Sequence, residues 1–497
     1  MAFIGLDVGT SGCKAAAYSR DGTCIGQSER GYSLITPEKG FAELDPLEIW
    51  NGVQEVLREL APCCDGDDWL AISGIGESFV LLDDQGAPLS RFITYLDSRG
   101  DAELEEIRAE IPEEELYRRT GVRLNRTYSI CKLQWLRNHR PEAFARADRV
   151  VFFNEYFNYM LTGKHAVDPG VAIRSMLVRP DGRAWEDRVL RAVGLREEQM
   201  APILPIGTPL GGIRPELCRS LGLPGTLTVV LGCHDQCAAS LGAGIWEPGD
   251  MVLGEGSSEG LNLVVSAEDA LPDEDRYRAE IVAEPYLEGK YLLLAAQSAF
   301  CTSLKWFLNL VGEGEESEDR YAYWDARCAE DTNVLFIPHL SGLNVMRSDA
   351  PASGAFLGLH FSTGRDEMYR AVLEGMHMET RRILEGAMLR RGIPLKKLVV
   401  AGGNSRSARS MQIKADVLER ELVTLEQLDA GTTGLAVICA VASGACGDYA
   451  SAIDRFVTYG KVYAPSRSIA AKYRRYLVFT DAIPDAELKF MREEMLP

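Results

Sequence analysis

The chain opens with the stretch IGLDVGTSGCKAAAY, residues 4–18, around which the rest of the sequence is organised. An apolar run reaches Asp7, breaks at a turn with two glycines and two hydroxyls, and resumes after Lys14. This pattern predicts a strand, a tight turn and a returning strand. The turn at residues 9–11 has donors suited to a phosphate, Lys14 can add positive charge, and Asp7 can hold a metal ion. An ordinary hairpin, in which Gly and Ser only satisfy the turn geometry, explains the same residues.

The same device recurs, more weakly, in the stretch MVLGEGSSEGL at residues 251–261. Neither copy has the glycine spacing of a Walker A loop or of a dinucleotide fingerprint. Two such turns that face each other would suit the two ends of a polyphosphate, so we interpret the second copy as an internal repeat.

The length of the chain predicts two large domains, because 497 residues exceed what one hydrophobic core usually supports. The sequence Pro248-Gly249 lies just before the second hairpin and marks a boundary. We therefore predict an N-terminal domain over residues 1–246 and a C-terminal domain over residues 247–497.

Charge and cysteine usage limit the compartment and the partners. The formal net charge of -20 opposes nonspecific binding to nucleic acid or to an anionic membrane, so neither is expected as a partner. The twelve cysteines show no framework of repeated spacing, which favours reduced thiols. No basic region precedes the first apolar run, and no apolar stretch is long enough to span a bilayer. A cytoplasmic protein is expected.

Acidic residues follow two further apolar runs. Glu77 and Ser78 come after the run at residues 69–75, at a strand end where open α/β sheets bind ligands, although a surface acid in a loop would look the same. Asp97 lies in a short polar segment and is a second candidate for substrate contact. Asp235 follows the buried-type strand at residues 227–231 and begins a helix, whose dipole favours an ionised carboxylate. It can act as a base or as a simple helix cap.

The second half shows several predicted helices and one further turn. An exposed acidic loop is predicted at residues 312–320, followed by a long helix at 365–391. The strand at 397–401 ends in Gly402-Gly403-Asn404, where small residues would let a base or sugar approach the backbone, and a helix follows at 407–418. A final helix is predicted at 431–443.

Taken in order, these segments resemble the FGGY carbohydrate kinase family, which belongs to the larger group of actin-like and Hsp70-like ATP-binding folds. The similarity covers essentially the whole chain. It is carried by DVGTS with its following lysine (residues 7–14), DQ with GAG (235–236 and 242–244), YRAVLEG (369–375), and GG with QIKADVL (402–403 and 412–418). The resemblance implies an α/β fold of two ribonuclease-H-like domains that close over an interdomain cleft, with the sugar bound by the first domain and ATP by the second.

The resemblance also implies roles for individual residues. Asp235 matches the general base, and Asp7 the position near Mg²⁺. The first phosphate loop and its lysine match Gly9, Thr10, Ser11 and Lys14, and the second phosphate loop matches Gly254, Gly256 and Ser257. The nucleotide loop matches Gly402, Gly403 and Asn404, and the sugar contacts match Glu77, Ser78, Asp97 and Asp235. The implied cofactors are ATP and Mg²⁺, and the family allows a homodimer.

The chain departs from the family pattern at several positions. Many xylulose-kinase-like members have Gln-Met-His-Gly where this chain has ESFV at residues 77–80, and Trp where it has Tyr95. Asn404 replaces a frequent third glycine, and the second phosphate turn carries Glu255. The resemblance therefore implies phosphorylation of a small sugar, and the leading candidate for this sugar is a ketopentose such as xylulose. A polyol, an aldonate or a signalling sugar-like acceptor is an alternative, and so is a nucleotide-dependent switch without transfer activity.

Overall fold

The computed structural model describes residues 1–312, 319–343, 345–346, 352–389, 392–426 and 429–494. Most of the predicted loop at 312–320 and the last two residues of the predicted helix at 365–391 lie outside these ranges. Across the described ranges, every helix is too short or too polar to cross a membrane.

The strands alternate with helices along the whole chain. In chain order they are β1 (Phe3–Val8), β2 (Gly12–Tyr18), β3 (Cys24–Gly31), β4 (Glu43–Leu44), β5 (Asp67–Gly74), β6 (Phe79–Leu82), β7 (Phe92–Ile93), β8 (Arg149–Phe152), β9 (Pro209–Gly212), β10 (Thr226–Val230), β11 (Asp250–Glu255), β12 (Glu259–Val265), β13 (Val282–Pro285), β14 (Tyr291–Gln297), β15 (Leu335–Ile337), β16 (Ala355–Leu357), β17 (Lys397–Gly402), β18 (Leu422–Leu425) and β19 (Tyr459–Tyr463).

The α-helices differ widely in length. They are α1 (Pro46–Leu60), α2 (Glu103–Glu110), α3 (Glu113–Thr120), α4 (Ser129–His139), α5 (Pro141–Arg146), α6 (Phe153–Thr162), α7 (Pro169–Ile173), α8 (Asp187–Ala192), α9 (Pro215–Leu221), α10 (Asp235–Gly242), α11 (Glu274–Ala279), α12 (Cys301–Val311), α13 (Arg320–Arg327), α14 (Arg365–Ile383), α15 (Ala408–Leu418), α16 (Ala430–Ala442), α17 (Tyr449–Phe456) and α18 (Ala470–Glu494). Single 3₁₀ turns occupy Ala61–Cys63, Glu197–Gln199 and Gly403–Arg406, and a π-helical turn follows α14 at Leu384–Met388.

The two large sheets contain the same five-stranded arrangement, β3-β2-β1-β5-β10 in the first and β14-β12-β11-β17-β18 in the second. The first sheet has the order β3-β2-β1-β5-β10-β9 and the second has β13-β14-β12-β11-β17-β18-β19. In the first, β1 pairs antiparallel with β2 and parallel with β5, and β5 pairs parallel with β10. In the second, β11 makes the same pairings with β12 and β17, and β17 pairs parallel with β18. The predicted repeat of the opening hairpin is confirmed, and it extends to the whole five-stranded motif.

The structure also adds elements that the sequence analysis missed. A four-stranded sheet has the order β4-β7-β6-β8, and its strand β6 begins directly after Ser78. The helix predicted at 431–443 forms as α16, but the expectation that it is the final helix is wrong, because α17 and α18 follow it. The domain boundary between residues 246 and 247 stays a prediction.

The two halves share a hydrophobic core built around α10 and α16. This core contains buried side chains from both sheets, such as Phe3 of β1 and Val252 of β11. The helices touch backbone to backbone, since a Cβ on Gly242 would lie 1.8 Å from the Ala430 carbonyl oxygen. A Cβ on Gly434 would lie 2.0 Å from the carbonyl oxygen of Ala238. These pairs show that the helices run antiparallel and that glycine is required at their crossing.

The helix α16 also lies directly on β1 of the first sheet. A Cβ on Gly5 would lie 2.3 Å from the carbonyl oxygen of Thr432. A helix of the second half is thereby fixed against the strand that carries Asp7.

A buried lysine joins α15 to the second hairpin. Lys414 forms ion pairs with Glu255 at the end of β11 and with Glu259 at the start of β12, and all three side chains have no solvent exposure. Burial raises the pKa of Glu259, and the Lys414 charge opposes that effect. The pair of carboxylates raises the pKa of Lys414 although burial alone would lower it, so the lysine is charged.

The close helix contact predicts the effect of adding one methyl group. Gly434→Ala should lower the free energy of unfolding by about 1–3 kcal/mol, because overpacking exceeds the gain of about 1 kcal/mol in helix propensity. The matched control is Gly447→Ala, since a Cβ on the exposed Gly447 meets nothing within 4 Å. Thermal unfolding of both variants checks the prediction, and equal midpoints would contradict it.

Removal of the buried lysine tests the ion-pair cluster. Lys414→Met should cost about 3–5 kcal/mol of stability, because two carboxylates stay buried without a cation. The control Lys305→Met, at an exposed site on α12, should change stability by less than about 0.5 kcal/mol. Urea unfolding measures both, and the added changes Glu255→Gln and Glu259→Gln should recover part of the loss. A loss no larger than that of the control would show that the cluster is dispensable.

Candidate active site

The carboxyl ends of the central strands of the first sheet form one edge, and Asp7 and Asp235 both lie on it. Asp7 is opposite Ser73 in the parallel ladder of β1 and β5, and the Ser73 hydroxyl donates to Asp7 Oδ1 at 2.7 Å. The next residue, Gly74, forms a parallel bridge with His234, which directly precedes Asp235. Burial, and after it the negative charge of Asp235, raises the pKa of Asp7 to about 6. The two acids therefore share one electrostatic environment.

The N-terminus of α16 faces the first hairpin. Lys14 lies opposite Asp7 in the hairpin and forms an ion pair with Asp429, with 2.6 Å between Nζ and Oδ2. Asp429 caps α16 by accepting a hydrogen bond from the Thr432 amide at 3.0 Å. A Cβ on Gly431 would lie 3.6 Å from Asp7 Oδ2, so this helix end reaches the Asp7 carboxylate. Sequence reasoning missed Asp429, although an Asp three residues before Thr432 is an N-cap signal.

The first turn is closed by its own backbone. The Gly9 amide donates to the Gly12 carbonyl at 2.9 Å, and the Tyr32 hydroxyl donates to the Gly9 carbonyl. Thr10 is partly exposed and Ser11 is exposed, so their hydroxyls are accessible to a ligand.

The second turn adjoins the N-terminus of α10. The Gly256 amide donates to the Ser258 carbonyl at 2.9 Å, and Gly254, Gly256 and Ser257 are exposed. On the returning strand, a Cβ on Gly260 would lie 3.2 Å from Gln236 Oε1. The first hairpin thus contacts the N-terminal turn of α16, and the second hairpin contacts the N-terminal turn of α10.

The loop after β17 lies beside this second turn. Gly402 has a φ of 110°, and a Cβ there would lie 2.1 Å from the Glu255 carbonyl oxygen. Gly402 and Gly403 are exposed, and the Asn404 amide donates to Glu255 Oε2 at 3.1 Å. The structure therefore brings the two predicted nucleotide-binding segments of the second half together.

Asp235 is the first residue of α10 and is not its N-cap, which is His234. The interpretation of Asp235 as a simple cap is wrong. Its side chain is 31% exposed, while Oδ1 is buried, lies 3.2 Å from His234 Nε2, and has no hydrogen-bond partner among the described residues. Burial raises the pKa of Asp235, and the charge of His234 opposes that rise.

Glu77 is buried, which excludes the interpretation of a surface acid. It is 3% exposed, adopts a left-handed φ of 56°, and forms an ion pair with Arg174. Such a φ costs a non-glycine residue on the order of 1 kcal/mol and is held by its surroundings. The neighbouring Ser78 Oγ and Arg174 Nε are buried and have no hydrogen-bond partner within the described ranges. Arg174 was missed because it follows a short helix with no motif around it.

Asp97 is buried, and its carboxylate contacts other residues of the protein. It is 1% exposed and accepts hydrogen bonds from the backbone amides of Ala42 and Arg99 and from the Arg99 guanidinium. Arg99 also pairs with Glu43 and lies over the ring of Phe41 at 3.9 Å. The Asp97 oxygens are therefore already bonded within the protein.

Where the structure describes the chain, no three His, Cys, Asp or Glu side chains are grouped to hold a metal ion. Mg²⁺ is usually bound by one or two carboxylates together with phosphate oxygens and water. The carboxylate of Asp7, partly buried at the edge between the hairpins, fits that kind of site.

Comparison with known proteins shows the family over most of the chain. Residues 2–242 match the N-terminal domain, and residues 256–443 the C-terminal domain, of the FGGY family of carbohydrate kinases. A gluconokinase of Bacillus licheniformis is 24% identical over 95% of this chain and 94% of its own length. A glycerol kinase of Gloeobacter violaceus is 29% identical over 91% of this chain and 90% of its own.

Solved structures show the same architecture. The xylulose kinase from Rhodospirillum rubrum superposes with a TM-score of 0.88 at 27% identity, covering 99% of this chain and 100% of that one. The Plasmodium falciparum glycerol kinase with ADP has a TM-score of 0.84 at 20% identity, covering 100% and 98%. These matches confirm the predicted fold of two ribonuclease-H-like, actin-like domains. The chain belongs to the FGGY family of carbohydrate kinases, and it is an ATP-dependent phosphotransferase with an alcohol group as acceptor.

Proposed function

We propose that the protein transfers the γ-phosphoryl group of ATP to a primary hydroxyl of a small sugar, with Asp235 as the general base. The observation that carries the proposal is the position of Asp235 at the sheet edge, next to Asp7 and to the second hairpin turn. The carboxylate takes the hydroxyl proton as the sugar oxygen bonds to the γ-phosphorus and the bond to the ADP oxygen breaks. Most of the remaining rate enhancement in such a reaction comes from positioning and charge.

The two turns are suited to the phosphates of ATP. Thr10 and Ser11 of the first turn and Gly254, Gly256 and Ser257 of the second supply amides and hydroxyls. Lys14 and the N-terminus of α16 add positive charge beside the first turn. The exposed Gly402 and Gly403, with Asn404, form the side on which we place the nucleoside.

Glu255 does not oppose phosphate binding at the second turn. Its carboxylate is buried and bonded to Lys414 and Asn404, so its charge is compensated inside the domain. Glu255 is therefore no argument for a nucleotide-dependent switch without transfer activity.

Asp7 is the residue that we propose for Mg²⁺. Its pKa of about 6 reflects burial beside other acids, and a cation there would relieve the repulsion. When bound, Mg²⁺ would neutralise charge on the phosphate oxygens.

The acceptor site is proposed beside Asp235. The Glu77 carboxylate, fixed by Arg174, can accept hydrogen bonds from sugar hydroxyls, and the unpartnered Ser78 Oγ can donate or accept one. For Asp97 we propose a supporting position, in which its bonds to Arg99 hold the loop that borders this region.

The charges around the acceptor site favour a neutral sugar. Asp235 is influenced by the carboxylates of Glu77 and Glu284 and by the charge of His234. His234 is paired with Glu284 and Arg174 with Glu77, so these two cations are already engaged, and the charge of Asp235 would repel an aldonate more than a ketose. We therefore propose a ketopentose such as xylulose before a polyol or an aldonate; the similarity to gluconokinases and glycerol kinases keeps those two as alternatives.

Replacement of the proposed base tests the reaction. Asp235→Asn should fold and bind ADP normally but lose about 10²–10⁴-fold in kcat, because the hydroxyl proton has no acceptor. Coupled ADP-release kinetics and calorimetric ADP titration measure the two effects. The control is Asp84→Asn, at an exposed turn, which should keep full turnover. Near-normal turnover in Asp235→Asn would refute the assigned base.

A panel of acceptors tests the substrate class. Xylulose, ribulose, glycerol, xylitol and gluconate are compared by kcat/KM for ADP release under identical conditions. We expect a ketopentose to give the highest value and gluconate a value at least about tenfold lower, equivalent to about 1.4 kcal/mol of repulsion. A preference for gluconate or glycerol would replace the ketopentose assignment with the corresponding alternative.

A further inference from the structure

A buried imidazole lies between two carboxylates beside the proposed base. His234 Nδ1 is 2.9 Å from Glu284 Oε2, and His234 Nε2 is 3.2 Å from Asp235 Oδ1. The His234 side chain is 5% exposed and the Glu284 side chain has no exposure. Asp235 and His234 belong to the start of α10, whereas Glu284 comes from β13 of the second sheet.

The backbone around this group leaves little freedom for the ring. His234 bridges to Gly74 in the extension of the first sheet. A Cβ on Gly76 would lie 3.1 Å from His234 Nε2, and a Cβ on Gly170 would lie 2.7 Å from Glu284 Oε1. Glycine at these two positions makes room for the imidazole and the carboxylate, so both are held where they can interact.

The imidazole is positively charged in this setting. Burial would lower the pKa of His234, but Glu284 and then Asp235 reverse this and raise the pKa to about 9. At neutral pH both ring nitrogens therefore carry protons. Nδ1 donates a hydrogen bond to Glu284, whereas the contact of Nε2 with Asp235 Oδ1 is one of charge without a hydrogen bond.

We propose that His234, held by Glu284 across the two halves, is a positioning residue that keeps Asp235 ionised and turns its Oδ2 towards the acceptor hydroxyl. The inference rests on the proposed role of Asp235 as general base. The ion pair occupies the buried Oδ1, and the exposed part of the side chain is left for the substrate.

The carboxylates around Asp235 favour its protonated form, against the effect of His234. Burial raises its pKa, and the carboxylates of Glu77 and Glu284 raise it further, while Gln236 and His234 lower it. Asp7 on β1 is close enough for mutual repulsion. His234 is thus the nearby cation that offsets these carboxylates.

The charges around His234 include one cation. The charge of Arg174 lowers the pKa of His234. Asp168 is close enough for the charges of Glu284 and His234 to act on its own pKa. Loss of His234 should leave Asp235 protonated at a higher pH than in the native protein. Loss of the Glu284 carboxylate should lower the pKa of His234, but it also removes a charge that raises the pKa of Asp235.

The test is the pH dependence of kcat in His234→Gln, with the protonation of the His234 ring measured separately in Glu284→Gln. Turnover requires ionised Asp235, so it falls as pH drops through the pKa of that group. Removal of the cation should move this acid limb upwards by about one pH unit or more, with partial recovery of kcat at alkaline pH. The control is His139→Gln, which should leave the profile unchanged. It removes the imidazole on α4 whose Nε2 lies 3.0 Å from Oε1 of Glu103 on α2.

A direct reading of the imidazole makes the test independent of activity and of variant folding. ¹⁵N NMR of the native protein, which has six histidines, should show the His234 ring doubly protonated at pH 7.5 and deprotonating near pH 9. In Glu284→Gln the ring should deprotonate at lower pH. A His234 ring that is neutral at pH 7.5, or an unchanged acid limb in His234→Gln, overturns the inference.

The outcomes separate this inference from the proposed function. Normal turnover in Asp235→Asn would refute the base itself, whatever the state of His234. Loss of turnover in Asp235→Asn together with an unshifted profile in His234→Gln would refute only the positioning role.

Discussion

The direct backbone contact between α10 and α16 is the constraint on which the active-site region depends. Gly242 and Gly434 remove the side chains at the crossing, and Gly5 lets α16 lie directly on β1. This crossing brings each hairpin to the first turn of a helix from the other half. Asp7 and Lys14 meet the capped end of α16, and Gly260 meets Gln236 of α10. A polyphosphate site between two halves requires that exchange, because neither half has both the turn and the facing helix end.

The second requirement is electrostatic. A chain with a formal net charge of -20 has to bind an anionic nucleotide beside several carboxylates. The structure compensates locally in three ways: Lys14 pairs with Asp429, Lys414 takes up Glu255 and Glu259, and the imidazole of His234 lies between Glu284 and Asp235. Burial and neighbouring acids raise the pKa of Asp7, which marks it as the position where a metal ion fits.

The sequence predicted those features that are local along the chain. The hairpin, the strand ending before Asp235 and the glycine loop at 402–403 follow from periodicity and turn residues. Arg174 and Glu284 could not be found in this way, because their roles depend on Glu77 and His234, which are far away in sequence. Asp429 has a local N-cap signal, but its ion pair with Lys14 is not visible in the sequence. Asp97 shows the converse: a polar residue that looks free in the sequence is fully bonded within the fold.

The two copies of the repeated motif have divided the chemistry between them. In the first hairpin, the second pair before the turn is Asp7 and Lys14, whereas Gly254 and Gly260 occupy the equivalent place in the second. The second copy keeps its acids, Glu255 and Glu259, one position closer to the turn, where they bond to Lys414 inside the domain. Its outer face therefore presents backbone and hydroxyls without charge, which suits phosphate oxygens. The first copy presents the carboxylate of Asp7 and the charge of Lys14, and Asp7 lies at the sheet edge that also carries Asp235.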